Sequence, residues 1–457
     1  MKKTNDFGRD PIPLLVLKIS IPFMFAQFVN VLYSIVDRIY IGNIPVIGAD
    51  SLAGAGVCAP IITLLSSFGT LIGIGGSVLF SVRLGEGNHK AAQRILGNSF
   101  SMLLIFSAVL TVVFLFTKTY LLNWFGASET TYSYANTYLT IYTLGTFFAL
   151  LSMGMNYFIT AQGFPLLGMA TTLIGAVVNI ALDPVFIFVL DMDIAGAAVA
   201  TVIAQMSSCI FVLLTLRSRK MTIPLGIVRP EKEIGKRILK IGFSPFVILA
   251  TDSVIIIALN AVLQHYGGEG YGDTLITAAT IVQSYMLLIT SPMIGVTGGS
   301  QPLISFNYGA NKPQRIRRTI ACVLVLCVCF TTLMFVISRV LPQYFVQIFT
   351  SEKEYQQLAV WGIQVFTLMI VPLSFQYVFV DALTALGMTK LSLMLSMLRK
   401  SSYFAATCIL PALFTAKAAF YAEPAADAGA AIVSTIVFFI VYKKYLRGEG
   451  RLGDIKL

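Results

Sequence analysis

Apolar residues in this chain come in long, nearly unbroken runs separated by short polar stretches, and the run from Leu14 to Ile35 is representative. Such a run is too long for a strand and does not alternate. It predicts helices and argues against a transmembrane barrel, whose strands switch between apolar and polar over about ten residues. Twelve runs can be placed, near 14–42, 52–82, 98–117, 135–160, 169–190, 195–216, 241–265, 274–306, 319–341, 357–386, 391–413 and 425–442. A helix crosses the hydrocarbon core with about 20 predominantly apolar residues, so each run is long enough to span. The expected fold is all-α: a polytopic membrane protein with twelve transmembrane helices.

Composition agrees and narrows the class. Of 457 residues, 57% are apolar and only 12% charged, with a mean hydropathy of +0.82. A soluble globular chain carries about a quarter charged residues. A soluble enzyme, a disordered chain and a single-anchor protein are therefore excluded. The six cysteines all fall inside apolar stretches with no CxxC, and read as packing residues. Two histidines, His89 and His265, are too few for a His-rich metal centre. No GxxxxGK[ST] is present, which excludes a pump with its own nucleotide site. The basic start with Lys2, Lys3 and Arg9 precedes an apolar run too long for a signal peptide and reads as leading into an uncleaved first span.

The net charge of +11 is sorted by side. Twelve spans put both termini on one face, and the segments on that face hold twenty-four Lys and Arg against three (Lys118, Lys353, Lys417) on the other. The excess marks the face as cytoplasmic and accounts for the basic balance without a nucleic-acid partner.

The chain also repeats. Arg83-Leu84-Gly85-Glu86-Gly87-Asn88 is echoed by Asn307-Tyr308-Gly309-Ala310-Asn311-Lys312, and Ala161-Gln162-Gly163 by Ala385-Leu386-Gly387, both at an offset of 224. The stretch from Ala195 through Thr201 returns from Ala428 through Ser434, at an offset of 233. Ordered matches of this kind indicate an internal duplication. The expected organisation is an N-terminal lobe of six spans (1–216), a basic cytoplasmic linker (217–240) and a C-terminal lobe of six (241–457). With an even number of spans per half, the pseudo-symmetric lobes share one orientation and would flank a central cleft, a transporter's plan.

Ionisable groups inside spans are costly and are functional candidates by default. Counting at 1.5 Å per residue, Asp37, Asp183 and Thr201 fall about 9–12 Å below the outer surface, so three helices offer oxygens in one layer. Asn179 stands one turn before Asp183 on the same face. Pro184 frees a backbone carbonyl nearby. Two carboxylates with neutral oxygens suit a monovalent cation such as Na⁺, or a shared proton. The competing reading pairs Asp37 with Arg38 and leaves Asp183 hydrogen-bonded for packing. A second set, Asp252, Tyr377, Asp381 and Arg399 with Lys400, lies in the C-terminal half as a candidate second cation or substrate site. There Asp381 and Arg399 could instead neutralise each other.

The combination of Val36-Asp37-Arg38-Ile39-Tyr40-Ile41-Gly42, Arg83-Leu-Gly-Glu-Gly-Asn88, Asn179-Ile-Ala-Leu-Asp183-Pro184, Gly196-Ala-Ala-Val-Ala-Thr201 and Gln301-Pro302-Leu-Ile-Ser-Phe-Asn307-Tyr-Gly309 resembles the multidrug and toxin extrusion (MATE) family, in particular its bacterial efflux members. The likeness covers essentially the whole chain. It implies an antiporter of the cytoplasmic membrane, driven by an H⁺ or Na⁺ gradient and conferring antibiotic resistance. Such a protein exports organic cations and other amphipathic drugs without a cofactor, and is not an enzyme. One branch of the family couples through residues matching Asp37, Asn179, Asp183 and Thr201. Another uses a second-half acid with a Tyr and an Asp four apart, which Tyr377 and Asp381 match and from which Asp252 departs by type and position. The expected partners are small drugs and membrane lipids, with the chain a monomer. A lipid-linked oligosaccharide flippase would want a basic central cavity, where only Arg399 and Lys400 qualify. An integral-membrane polyprenyl-phosphate transferase would want an acidic or His metal cluster facing the cytoplasm.

Overall fold

In the computed structural model the apolar runs are helices, joined by short turns except for the longer stretch between Arg217 and Lys232. The structure describes residues 5–125, 127, 129–226, 228–268, 271–349 and 352–446. Lys2, Lys3, Arg447, Arg451 and Lys456, counted above among the charges of the cytoplasmic face, lie outside the described residues. The helices of the first half are α1 (Ile12–Gly42), α2 (Gly48–Gly85), α3 (His89–Trp124), α4 (Glu129–Leu144), α5 (Thr146–Ala161), α6 (Pro165–Pro184) and α7 (Asp193–Arg217). Those of the second are α8 (Lys232–Gly267), α9 (Tyr271–Gly309), α10 (Pro313–Val340), α11 (Pro342–Gln347), α12 (Lys353–Phe366), α13 (Ile370–Ala385), α14 (Thr389–Leu413) and α15 (Ala422–Val441).

Among the described residues, nine of these helices, some extended by short irregular turns, are long and apolar enough to cross a membrane, α12 and α13 together make a tenth span, and α4 with α5, bent by 56° at one break, forms an eleventh. The twelfth expected span is α14. Its 25 residues suffice for length, but Arg399 and Lys400 fall near its middle. Large apolar side chains such as Phe116 (81% exposed), Leu214, Val325 and Ile432 point outward from the helices, as lipid-facing residues must when the surrounding solvent is hydrocarbon.

The internal repeat is visible in the backbone. Gly163 and Gly387 both adopt left-handed angles, φ +86° and +78°, as do Gly87 (φ +75°) and its counterpart Asn311 (φ +53°). Glycine and asparagine are the residues that tolerate this conformation. The break between α4 and α5 at Gly145 recurs between α12 and α13, where Thr367–Met369 forms one tight 3₁₀ turn.

The chain divides into two compact units. One comprises the described residues of Met1–Asp10 with Ile21–Ala250 and Ser305–Ala310, the other Pro11–Ser20, Thr251–Ile304 and the described residues of Asn311–Leu457. In the first unit α2 lies against α3 and α5, with Phe80 meeting Phe158 edge-on at 5.6 Å. There the end of α2 also crosses the end of α9 backbone to backbone. A Cβ on Gly85 would fall 2.0 Å from the Phe306 carbonyl oxygen, and one on Gly309 2.0 Å from that of Val82. In the second unit the core joins α8, α9, α12, α13 and the 3₁₀ turn Ala416–Tyr421 through Leu259, Leu263, Val282, Ile363, Phe366, Ile370 and Phe420.

Candidate functional site

The first unit gathers its polar side chains where α1, α4, α6 and α7 meet. Helix α6 begins with Pro165, whose fixed φ suits the first helical position, and ends at Pro184. Pro184 cannot donate to the carbonyl of Ile180, and beyond it the chain widens into one π turn, Val185–Val189, closed by the Leu190 amide on the Val185 carbonyl at 2.9 Å. Such widened turns cluster at functional positions. One turn of helix before the proline stands Asn179, 2% exposed, and beside the proline Asp183, fully buried.

The four residues singled out from the sequence come together. Asn179 Nδ2 donates to Asp183 Oδ1 at 3.0 Å and lies 3.4 Å from Thr201 Oγ1 on α7. The Asp37 carboxyl, reaching in from α1, is in hydrogen-bonding contact with that of Asp183. Two carboxyl groups attract each other only when a proton or a cation sits between them; both ionised, they repel. Asp37 Oδ1, Asp183 Oδ2 and Asn179 Oδ1 are all buried with no donor facing them. The cluster is thus a set of acceptor oxygens from two helices, with a third helix alongside; Arg38 is in electrostatic reach of Asp37 but forms no ion pair with it among the described residues.

An aromatic wall that the sequence reading missed surrounds this set. Tyr33, one turn before Asp37 on α1, is within electrostatic reach of Asp37, Asp183 and Tyr142. From α4, Tyr138 hydrogen-bonds Thr201, and Tyr142, stacked on Tyr138 at 6.5 Å, hydrogen-bonds Ser66 of α2 and Gln205 of α7. Gln205 follows Thr201 by one turn, so the two share a helix face. Their spacing could have been read; the tyrosines are indistinguishable from ordinary packing residues in a chain with 19 of them.

The second-half set is placed differently from its expectation. The pairing considered for Asp381 and Arg399 gives way to another: Arg399 Nε donates to Asp427 Oδ1 at 2.7 Å and an Nη to Glu423 Oε1 at 2.5 Å, both on α15. Arg399 also lies over the Tyr377 ring at 5.9 Å. Asp381 instead hydrogen-bonds Thr297 and Gln301 on α9, and Asp252 on α8 forms an ion pair with Lys400. Glu423 falls just before the last apolar run as placed from the sequence, and Asp427 falls inside it without having been singled out. In fact Ala416–Tyr421 turns as a 3₁₀ segment and α15 begins at Ala422, which puts both acids one turn apart on a buried face.

The MatE family model matches residues 22–185 and 247–402. Among curated proteins the chain is 27% identical over 417 residues to the multidrug export protein MepA of Staphylococcus haemolyticus, covering 91% of this chain and 89% of that one. It is 23% identical to the multidrug export protein MepA of Staphylococcus aureus strain MSSA476, covering 95% of each. Among solved structures, an outward-facing multidrug resistance MATE family transporter of the MOP superfamily superposes with a TM-score of 0.89 at 19% identity, over 97% of this chain and 99% of that one.

Proposed function

This chain belongs to the MatE family, and from that premise we propose that it exports organic cations and other amphipathic drugs across the bacterial cytoplasmic membrane, in exchange for inward-moving H⁺ or Na⁺. It is a multi-pass membrane transporter and not an enzyme. Multidrug export is what the relatives' names record. The observation that carries the coupling is the meeting of Asp37 and Asp183, with Asn179 and Thr201 alongside and three buried acceptor oxygens lacking a donor. A proton between the carboxyls, or a sodium ion held by the same oxygens, supplies the positive charge.

Coupling follows from where that charge is bound. The ion can drive transport only through its different affinity for the two access states. Asp37 belongs to α1, which carries Pro22 within its length, so ion binding at Asp37 and Asp183 would bend α1 near Pro22 or reposition it, shrinking the drug site and favouring release. The two lobes, 1–216 and 241–457, joined by the basic linker 217–240, alternate access as a monomer in the lipid bilayer. Both termini lie in the cytoplasm, in keeping with the distribution of Lys and Arg. Asp252, Tyr377, Asp381 and Arg399 form the second candidate site, for cation or substrate.

The flippase reading needs unpaired basic groups for a pyrophosphate, and both of its candidates are already occupied, Arg399 by Glu423 and Asp427 and Lys400 by Asp252. Vesicles containing the purified protein, loaded with ethidium and given separately a sodium gradient and a pH gradient, test the proposal. Efflux is expected under one of the two. Dye retention under both would refute coupled export.

A further inference from the structure

Arg399 and Lys400 are neighbours on α14 and so point about 100° apart around the helix. Arg399 is directed to α15, where Glu423 and Asp427 hold its guanidinium from two sides. Lys400 is directed to α8, where it meets the single carboxylate of Asp252. Tyr377 underlies Arg399, and Tyr403 lies within electrostatic reach of Glu423, Arg399 and Asp427. In their ordinary ionised forms Asp252, Glu423 and Asp427 against Arg399 and Lys400 leave one negative charge uncompensated; Asp381, in electrostatic reach of Tyr377, is bonded separately to Thr297 and Gln301 on α9. The surplus sits on the α15 side: Asp427 is fully buried, and its Oδ2 has no partner. An uncompensated charge at such a place is costly.

The two ion pairs differ in how readily they open. Arg399 is gripped by two carboxylates in a fixed fork geometry. Lys400 has one partner and a flexible stem, and Glu423 and Asp427 also act on its ammonium electrostatically, so a second anionic seat is within its reach. Asp252 is the accessible member, its side chain 40% exposed against 12% for Lys400.

We propose that Lys400 is a tethered counter-ion which a monovalent organic cation displaces from Asp252, and that the displaced ammonium moves to the unfilled oxygen of Asp427. This rests on reading the chain as an exporter of organic cations, and it names the class of ligand for the second-half site. Charge closes in the bound state. Asp252 is balanced by the ligand, and Glu423 with Asp427 by Arg399 with Lys400. With no ligand bound, one charge is left over. Lys400 thereby favours ligands with one permanent positive charge over neutral compounds, which cannot take its place on Asp252.

Equilibrium binding of tetraphenylphosphonium, a permanent cation with no exchangeable proton, to the purified full-length protein tests this. Asp252→Asn is expected to weaken binding and Lys400→Met, which removes the competitor, to strengthen it, each by about tenfold. Asp427→Asn deprives the displaced ammonium of its seat and is expected to weaken binding by a few-fold, although Asp427 does not touch the ligand. Lys400→Met combined with Asp427→Asn should bind as tightly as Lys400→Met alone, because the effect of Asp427 passes through the lysine. Should Lys400→Met not yield folded protein, Lys400→Arg, which grips Asp252 more firmly, is expected to weaken binding. Wild-type binding that is indifferent to Lys400 and Asp252, or an Asp427 effect undiminished in the Lys400→Met background, overturns the inference and leaves multidrug export standing. No binding to the wild type overturns both.

Discussion

Replacing Asp183 with Asn keeps the shape of the side chain and removes its ability to carry the charge that a proton or sodium ion neutralises. Dye efflux from cells expressing this variant is expected to fall to the background of cells without the protein, with unchanged amounts in the membrane. Efflux at the wild-type rate would remove Asp183 from the coupling site. Thr201→Ala is milder, because its hydroxyl meets Asn179 at 3.4 Å, a long contact. A few-fold rise in the ion concentration giving half-maximal transport is expected. Arg399→Met should act on stability instead. It strands Glu423 and Asp427 without their cation, and removing one partner of a buried pair costs about 3–5 kcal/mol. A drop in the thermal midpoint of the detergent-purified protein checks it. At this scale Asp37, Asn179, Asp183 and Thr201 were legible, since an acid or amide within an apolar run has few structural reasons to be there. Tyr33, Tyr138 and Tyr142 were not, because a phenol in a membrane helix looks the same in the sequence whether it lines a site or fills a gap. Which residue pairs with which in the second half was also hidden. Arg399 could have met any acid of its layer, and only the packing of α14 against α15 selects Glu423 and Asp427.

The helices themselves were read nearly in full, because twenty apolar residues in a row admit few alternatives in a bilayer. Their ends were not. Helices α3 and α8 run on past the apolar stretch into polar sequence, α3 from His89 and α8 from Lys232. Hydropathy marks where the hydrocarbon begins, whereas the helix stops at turn chemistry, such as the Asn88 side chain that accepts from the Ala91 amide at 3.0 Å. The duplicated segments acquire a physical reason in the crossing of α2 and α9. Gly85 and Gly309, matched across the repeat, each rest on the backbone of the other's helix. A side chain at either position must force the helices apart. Gly85→Leu and Gly309→Leu are each expected to cost about 1–3 kcal/mol or more and to lower the yield of monodisperse protein. Elution and thermal stability equal to the wild type in both variants would show that the crossing is not tightly packed.

For the molecule as a whole, a chain this apolar places its few internal charges where they are paired or where an ion completes them. The second unit neutralises its own in part, through Arg399 with Glu423 and Asp427 and through Lys400 with Asp252. The first leaves Asp37 and Asp183 facing each other with Arg38 in electrostatic reach of Asp37 but, among the described residues, in no ion pair with it. Under the proposed function, coupling belongs to the first half and substrate charge recognition to the second, and ion movement is separable from drug binding. The direct measurement is ion flux evoked by drug in vesicles holding the purified protein. Ethidium driven through the wild type should move H⁺ or Na⁺ in the opposite direction, and Asp37→Asn and Asp183→Asn should each abolish that movement while ethidium still binds. Ethidium-evoked ion flux persisting at the wild-type rate in both variants would contradict coupling at this pair.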